Sequence, residues 1–135
     1  MLPTSKAQER MLAKGTHAGY EWVVLHNGMG FRLGYVKVPA DHPWYGLDYN
    51  DIGADVHGGL TFAEQDTESG YWVGFDCAHA FDKIDTALPW EFGRKGLYDY
   101  YVNCEPCVLR TQEYVEEQCR SLCEQAAAAA LPKQE

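Results

Sequence analysis

Residues 57–63, HGGLTFA, and residues 71–77, YWVGFDC, decide the fold that this sequence predicts. In both stretches apolar residues alternate with small or polar ones, which is typical of a β-strand with one buried face. The segment between them, residues 64–70, is acidic and ends in glycine, so it predicts a turn. Together the three segments predict an antiparallel hairpin.

Pairing the apolar faces of the two strands sets the expected register of this hairpin. Four pairs follow: Leu60 with Phe75, Phe62 with Val73, Thr61 with Gly74, and Gly59 with Asp76. One face of the hairpin then packs in a core. On the other face, two glycines without side chains leave a dent between polar groups. Glycine inside a strand often marks the close approach of a ligand, although bulges on a solvated face would give the same pattern. The dent predicts a small-molecule site formed by His57, Gly59, Thr61, Trp72, Gly74 and Asp76.

The rest of the chain predicts an α+β fold, with an antiparallel sheet of about four or more strands packed against a long C-terminal helix. The further elements are a short N-terminal helix over 5–14, strands over Tyr20–His26 and Phe31–Val38, a loop over 39–55, and a helix from about Pro106 to Ala130. Apolar residues recur on one face of the last helix. We expect one domain over residues 1–135, with frayed ends at 1–4 and 127–135.

Charge and hydropathy exclude two classes of partner. The 135 residues carry a net charge of -9, and the segment between Lys37 and Lys83 has nine acidic residues and no basic one. Such a surface repels nucleic acid, so no DNA partner is expected. No apolar run approaches the ~20 residues that span a bilayer, so no membrane partner is expected either.

The loop over 39–55 is rich in aromatic and acidic residues. Long loops in small domains are often functional. Trp44, Tyr45 and Tyr49 are therefore candidates to stack on a ligand, with Asp48 accepting hydrogen bonds from its hydroxyl groups. The alternative is that these aromatic residues belong to the core.

Metal binding is a second interpretation of the polar residues. His79 is a further ligand-binding candidate, and His57, Asp76 and His79 together form a set that could bind a divalent metal. The segment Asp48–Gly53 is similar to a calcium loop but has Gly59 where the bidentate glutamate belongs, so only weak calcium binding stays open. No cofactor is predicted.

The five cysteines are predicted to be reduced thiols in a cytosol, since the N-terminus has no export signal. Cys104 and Cys107 form a CxxC pair, and Cys119 and Cys123 lie one helical turn apart. A single helix from 107 to 123 would separate the two pairs by ~24 Å at 1.5 Å per residue, which argues against a shared zinc ion.

The strings HGGLTF (57–62) and GFDCAH (74–79) resemble those of a family of small proteins from tailed bacteriophages and prophages. The resemblance covers most of residues 33–125 and departs at the tail and around 80–105. It extends to four shorter strings: Gly34-Tyr35-Val36, His42-Pro43, Tyr45-Gly46 and Tyr114-Val115-Glu116. The resemblance implies a phage-type accessory protein in the cytoplasm of a host bacterium, of the kind that counters host defence.

Three functions follow as expectations. The first is binding rather than catalysis: a small polar molecule, such as a nucleotide-derived signal, is sequestered in the dent. Four cations could reach its phosphates from this chain or from a second subunit of a homo-oligomer: Arg32, Lys37, Arg94 and Lys95. The second is a metal-dependent hydrolase that uses His57, Asp76 and His79. The third is an acidic inhibitor that binds a host defence protein.

Overall fold

A five-stranded antiparallel sheet forms the centre of the protein, in the order β1-β2-β3-β5-β4. The computed structural model describes residues 9–66 and 70–131. The five strands are β1 (Met11–His17), β2 (Tyr20–His26), β3 (Arg32–Val38), β4 (Phe62–Asp66) and β5 (Gly70–Asp76). With a long C-terminal helix against it, this sheet confirms the predicted α+β class.

Residues 80–110 add a small layer beside the sheet. It contains strand β6 (Asp82–Lys83), helix α1 (Lys95–Val102) and strand β7 (Val108–Leu109). The strands β6 and β7 pair in parallel. This layer is joined to the sheet by a β-bridge between Met29 and Trp90.

Helix α2 (Gln112–Ala129) covers one face of the sheet. Thr111 caps its N-terminus by accepting a hydrogen bond from the N–H of Tyr114, which explains why the helix begins at 112 and not near Pro106 as predicted. Its buried face consists of Val115, Cys119, Leu122, Cys123 and Ala126. The helix reaches Ala129, inside the segment 127–135 expected to be frayed; residues 1–4 and 132–135 lie outside the described residues.

The other face of the sheet has its own apolar cluster around Val23, Leu25 and Trp72. Phe62 joins this cluster and packs edge-on against Tyr35, with ring centroids 5.2 Å apart. Strand β5, which lies between β3 and β4, is therefore buried on both sides.

The predicted N-terminal helix over 5–14 is not shown by the structure. Met11–Lys14 belong to strand β1, which pairs with β2 with one irregularity between Met11 and Ala13, and residues 1–8 lie outside the described residues. Ala18 and Gly19 join the two strands with φ angles of 53° and 88°, as a two-residue type I′ hairpin turn requires. Over residues 11–14, sheet pairing thus outweighs the helix propensity of the chain.

The register predicted for the β4–β5 hairpin is wrong by one residue. Phe62 lies opposite Gly74 and Ala63 opposite Val73, and β4 begins at Phe62 rather than at His57. Gly58 and Gly59 have φ angles of 67° and 80°, so the chain turns there and cannot continue as a strand. A shift of one residue exchanges the two faces of β4, which sends Phe62 to the side opposite helix α2.

The loop over 39–55 is irregular apart from one 3-10 turn, Tyr49–Asp51. It is fastened to helix α2 by His42, whose Nε2 lies 2.8 Å from the carbonyl oxygen of Ala126. Further along, the backbone of Asp55 exchanges two hydrogen bonds with the side-chain amide of Gln125. The loop is therefore held against the sheet-and-helix core.

Candidate functional site

Polar side chains from five separate segments meet where strand β5 ends. We call this group the histidine cluster; it consists of His57, Thr61, Asp76, His79, Asp82, Arg110 and Tyr114. The turn after Val56 supplies His57, and the first turn of helix α2 supplies Tyr114. The backbone N–H of His57 donates to the side chain of Gln118, which fixes the loop on the helix.

His57 lies at the centre of the histidine cluster. Its Nε2 is 2.9 Å from Oδ1 of Asp82, and its Nδ1 is 2.8 Å from the hydroxyl oxygen of Tyr114. An ionised carboxylate only accepts hydrogen bonds, so Nε2 carries a proton. Burial raises the pKa of the Tyr114 phenol, which keeps that hydroxyl protonated beside Nδ1 of His57.

Asp82 is the buried anchor of the cluster, with 5% of its surface exposed. Burial by itself would raise the pKa of its carboxyl, but hydrogen bonds from His57, Arg110 and the backbone N–H of His79 outweigh burial and hold that pKa below its ordinary value. Arg110 donates from Nε to Oδ1 at 2.9 Å, and its guanidinium also lies 5.3 Å from the ring centre of Tyr114. Asp82 is therefore a paired, ionised carboxylate.

The outer part of the cluster is more open to solvent. The side chain of His79 is 38% exposed, but its Nε2 is buried: it lies 3.4 Å from Oδ1 of Asp76 and has no hydrogen-bond partner among the described residues. Thr61 is exposed, and its hydroxyl donates to Oδ2 of Asp76 at 3.0 Å. The rings of His57 and His79 have their centres 5.8 Å apart, which links the inner and outer parts. A hydroxyl, a carboxylate and an imidazole thus lie side by side at the surface.

Four of the eleven predicted ligand-binding residues meet in this cluster: His57, Thr61, Asp76 and His79. The sequence analysis missed Asp82, Arg110 and Tyr114 as site residues. The sequence places Tyr114 only within one of the resembling strings, and Asp82 only within the acidic segment between Lys37 and Lys83. Asp82 and Tyr114 lie 25 and 57 residues from His57 in the chain, so no local pattern in the sequence joins them to it.

The predicted dent between the strands is absent from the described residues. A Cβ placed on Gly74 would lie 2.3 Å from Cδ1 of Tyr35, because the tyrosine ring fills that space. Gly59 lies in the turn and not opposite Asp76. Trp72 is buried among Val23 and Leu25 in the cluster on the other face of the sheet.

The predicted aromatic cover does not form over the histidine cluster either. Trp44 is buried in the core beneath helix α2, which is the alternative that the sequence left open. Tyr45 stacks on Tyr71 with ring centres 5.2 Å apart and donates to Gln65. Tyr49 is exposed, and Asp48 accepts from the side chain of Asn50.

Within residues 9–66 and 70–131, no group of three or more histidine, cysteine or acidic side chains is placed to hold a metal ion. His57 contacts Asp82, whereas His79 contacts Asp76, so the three predicted ligands do not converge on one point. The structure therefore gives no support to the metal-dependent hydrolase or to calcium binding at Asp48–Gly53.

The prediction that all five cysteines are reduced thiols is wrong for two of them. Cys104 and Cys107 form a disulfide, with Cα atoms 5.6 Å apart in the range that a disulfide requires. The other three cysteines are free and buried, and burial raises the pKa of the Cys77 thiol to about 12. The two pairs do not share a zinc site, since Cys119 and Cys123 lie in the core against strand β2.

The four cations proposed for phosphate binding do not meet. Arg32 is buried and pairs with Asp85 at 2.8 Å, and Lys37 lies 3.5 Å from Glu21 on the sheet. Arg94 and Lys95 are exposed at the start of helix α1, beside an open groove of about 470 Å³.

Comparison with protein-family models, curated proteins and solved structures finds no match to this chain. In the part of the chain that the structure describes, no helix is both long enough and apolar enough to cross a membrane.

Proposed function

We propose that this protein binds a small polar molecule at the histidine cluster and sequesters it without chemical turnover. The observation that carries this proposal is the convergence of Thr61, Asp76 and His79 at the surface, supported from below by the buried pair of His57 and Asp82. This pair holds the outer groups in place. A site whose side chains are already fixed loses less conformational freedom when it binds a ligand.

The charges in the cluster favour a ligand that donates hydrogen bonds. Asp76 and Asp82 bring two carboxylates and Arg110 brings one permanent cation. Asp82 is fully engaged, so the partly exposed Asp76 carboxylate, which accepts from Thr61 and from the backbone N–H of Ala78, is the acceptor with room for a ligand hydroxyl or amine. For a nucleotide-derived molecule, we therefore expect the sugar or base, not the phosphate, to lie here.

Binding without turnover fits the state of the nearest thiol. Cys77 adjoins Asp76 in the chain, but it is buried and its pKa is raised to about 12, so it supplies no thiolate at neutral pH. The resemblance of HGGLTF and GFDCAH to phage proteins supports a role in countering host defence, and both strings contribute residues to the cluster.

The first experiment is native mass spectrometry of freshly purified protein, followed by a thermal-shift screen with nucleosides, cyclic nucleotides and polyols. A compound that raises the melting temperature of the wild type is then tested on Thr61→Val and His79→Gln, which remove the exposed hydroxyl and the imidazole. The matched controls are Thr16→Val and His17→Gln on strand β1. Loss of the shift in the first pair alone supports the proposal, and an unchanged shift in both site variants overturns it.

A second candidate function is an acidic surface that binds a host protein. Asp41, Asp48, Asp51 and Asp55 are all exposed on the loop over 39–55, with Glu64 exposed on β4. Replacing the four aspartates with asparagine should abolish capture of a protein partner from bacterial lysate while leaving small-molecule binding unchanged. Equal capture by this variant and the wild type would exclude the acidic surface.

A further inference from the structure

We propose a second ligand site in the groove beside helix α1, which takes a planar aromatic ring bearing one negatively charged group. The groove has a volume of about 470 Å³ and is lined by Thr86, Leu88, Trp90, Gly93, Lys95 and Tyr98. Its volume lies in the range of small-molecule pockets, ~300–1,000 Å³. This site goes beyond the proposed function, because none of its lining residues belongs to the histidine cluster.

Two aromatic rings form the walls of the groove. Trp90 and Tyr98 have ring centres 5.3 Å apart and planes inclined by 75°, which leaves a corner rather than a closed stack. Phe92, half exposed, lies edge-on to Trp90 with ring centres 6.5 Å apart. A third planar ring can stack on one wall while meeting the edge of the other, the two arrangements that aromatic groups prefer.

One residue that lines the groove has a buried hydrogen-bond donor without a partner. The indole Nε1 of Trp90 is buried and has no hydrogen-bond partner among the described residues. Buried indole N–H groups usually find an acceptor, and leaving one without a partner costs free energy. The Trp90 side chain therefore forms a wall of the groove and also carries a hydrogen-bond donor that no described residue satisfies.

The positive charge at the mouth of the groove selects an anionic ligand. Lys95 is exposed, with only a long contact of 3.8 Å to Asp99, and Arg94 precedes it at the start of helix α1. The first turn of this helix has no acidic residue, and Arg94 provides no side-chain cap for its N–H groups. Because the whole chain carries a net charge of -9, a small ligand with a single charged group is favoured over a polyanion.

The walls of the groove are anchored to the sheet. Trp90 forms a β-bridge with Met29, and the N–H of the next residue, Glu91, donates to the carbonyl of Gly28 at 2.8 Å. Tyr101 of helix α1 packs edge-on against the buried Phe31, with ring centres 5.3 Å apart. Both walls are thus attached to the same loop between strands β2 and β3, which keeps the corner between them open.

The test follows the indole N–H signal of Trp90 by NMR, assigned with Trp90→Phe, during titration with four probes. Benzoate and adenosine monophosphate carry a ring and a negative charge, benzamide carries the ring alone, and acetate carries the charge alone. We expect saturable shifts with benzoate, adenosine monophosphate or both, which also shows which source of this chemistry fits. We expect at least threefold weaker binding of benzamide than of the better charged ring, and no shift with acetate.

Variants separate the ring contact from the charge contact. Tyr98→Ala should weaken every ring-bearing probe by about five- to a hundredfold, as loss of one stacking partner does. Lys95→Gln should weaken only the charged rings, by about two- to fivefold. The controls Tyr49→Ala and Lys14→Gln, exposed elsewhere, should bind as the wild type does.

A Trp90 signal that no ring-bearing probe moves, or binding that Tyr98→Ala leaves intact, overturns the proposal. So does acetate binding as tightly as benzoate, since the ring would then contribute nothing. The variant His79→Gln should leave these titrations unchanged, so a failure of the histidine-cluster proposal is distinguishable from a failure of this one.

Discussion

Nε2 of His57 lies 2.9 Å from Oδ1 of Asp82, although 25 residues separate the two in the chain. This contact joins the glycine-rich turn before β4 to strand β6, and Tyr114 and Arg110 connect the same pair to helix α2 and to strand β7. The sheet, the helix and the layer over 80–110 therefore share one polar junction. The stability of that junction and the geometry of the outer groups are coupled through Asp82.

Asp82→Asn should lower the free energy of unfolding by about 3 kcal/mol or more, because it leaves Arg110 and His57 without their charged partner. Urea unfolding followed by fluorescence measures this change. The matched control is Asp51→Asn, which changes an exposed residue and should stay within about 0.5 kcal/mol of the wild type. Equal stability of the two variants would show that the contacts of Asp82 contribute nothing to the free energy of unfolding.

The same carboxylate should make stability depend on acid pH. The pKa of Asp82 is lowered in the folded state below its ordinary value of 3.8. Its contribution is therefore complete above the unfolded-state pKa and is lost as the pH falls through the folded-state pKa. Wild-type protein should lose stability more steeply than Asp82→Asn between about pH 5 and pH 2. Parallel curves for the two proteins would contradict this assignment.

Alanine substitutions at two neighbouring glycines, Gly58 and Gly59, test where the His79 ring lies. A Cβ on Gly58 would lie 2.1 Å from Nε2 of His79, whereas a Cβ on Gly59 would meet nothing within 4 Å. Both residues have positive φ, so alanine at either position should cost about 1–2 kcal/mol of backbone strain.

Only Gly58→Ala should displace the imidazole of His79 and abolish binding at the histidine cluster. NMR shifts of the His79 ring, recorded for both variants, measure this displacement. If the ring signals move equally in Gly58→Ala and Gly59→Ala, the close contact between Gly58 and His79 is not present in solution.

Gly74→Ala tests whether the space between the strands is filled. The added Cβ would lie 2.3 Å from the ring of Tyr35 and 2.7 Å from the backbone oxygen of Gly34. The backbone cannot yield cheaply, so we expect a loss of about 2 kcal/mol in the free energy of unfolding. Gly53→Ala, with nothing within 4 Å, is the control and should be close to neutral. If Gly74→Ala is as stable as the wild type, the space beside Gly74 is open, as the dent predicted from the sequence requires.

Much of the sheet could be predicted because its central strands carry strong local patterns. The strand over Tyr20–His26 has the predicted bounds, and β3 and β5 each begin within one residue of their predicted starts. Continuous aromatic and β-branched runs define such strands without knowledge of their neighbours. The buried face of helix α2 was equally clear from its spacing, and only its start was wrong.

The histidine cluster could be predicted only in part, because register and long-range contacts decide it. The alternation of apolar and polar residues predicts Leu60 and Phe62 on one face of the sheet. In the structure, the turn at Gly58 and Gly59 puts them on opposite sides of it. Positive φ at two glycines leaves no trace in a pattern of polar and apolar residues. Asp82 and Arg110 come from a stretch without periodicity, so their approach to His57 had no local signal.

Thiol labelling separates the disulfide from the buried cysteines. Cys77, Cys119 and Cys123 are free but each is at most 2% exposed, and burial raises the pKa of each thiol. Native protein should therefore react with iodoacetamide only slowly, and unfolded protein should take up three labels without reductant and five after reduction, as counted by mass spectrometry. The variant with Cys104→Ser and Cys107→Ser should take up three labels under both unfolding conditions. Five labels on unreduced wild type would instead mean that Cys104 and Cys107 are free thiols in the purified protein, as the sequence alone predicts.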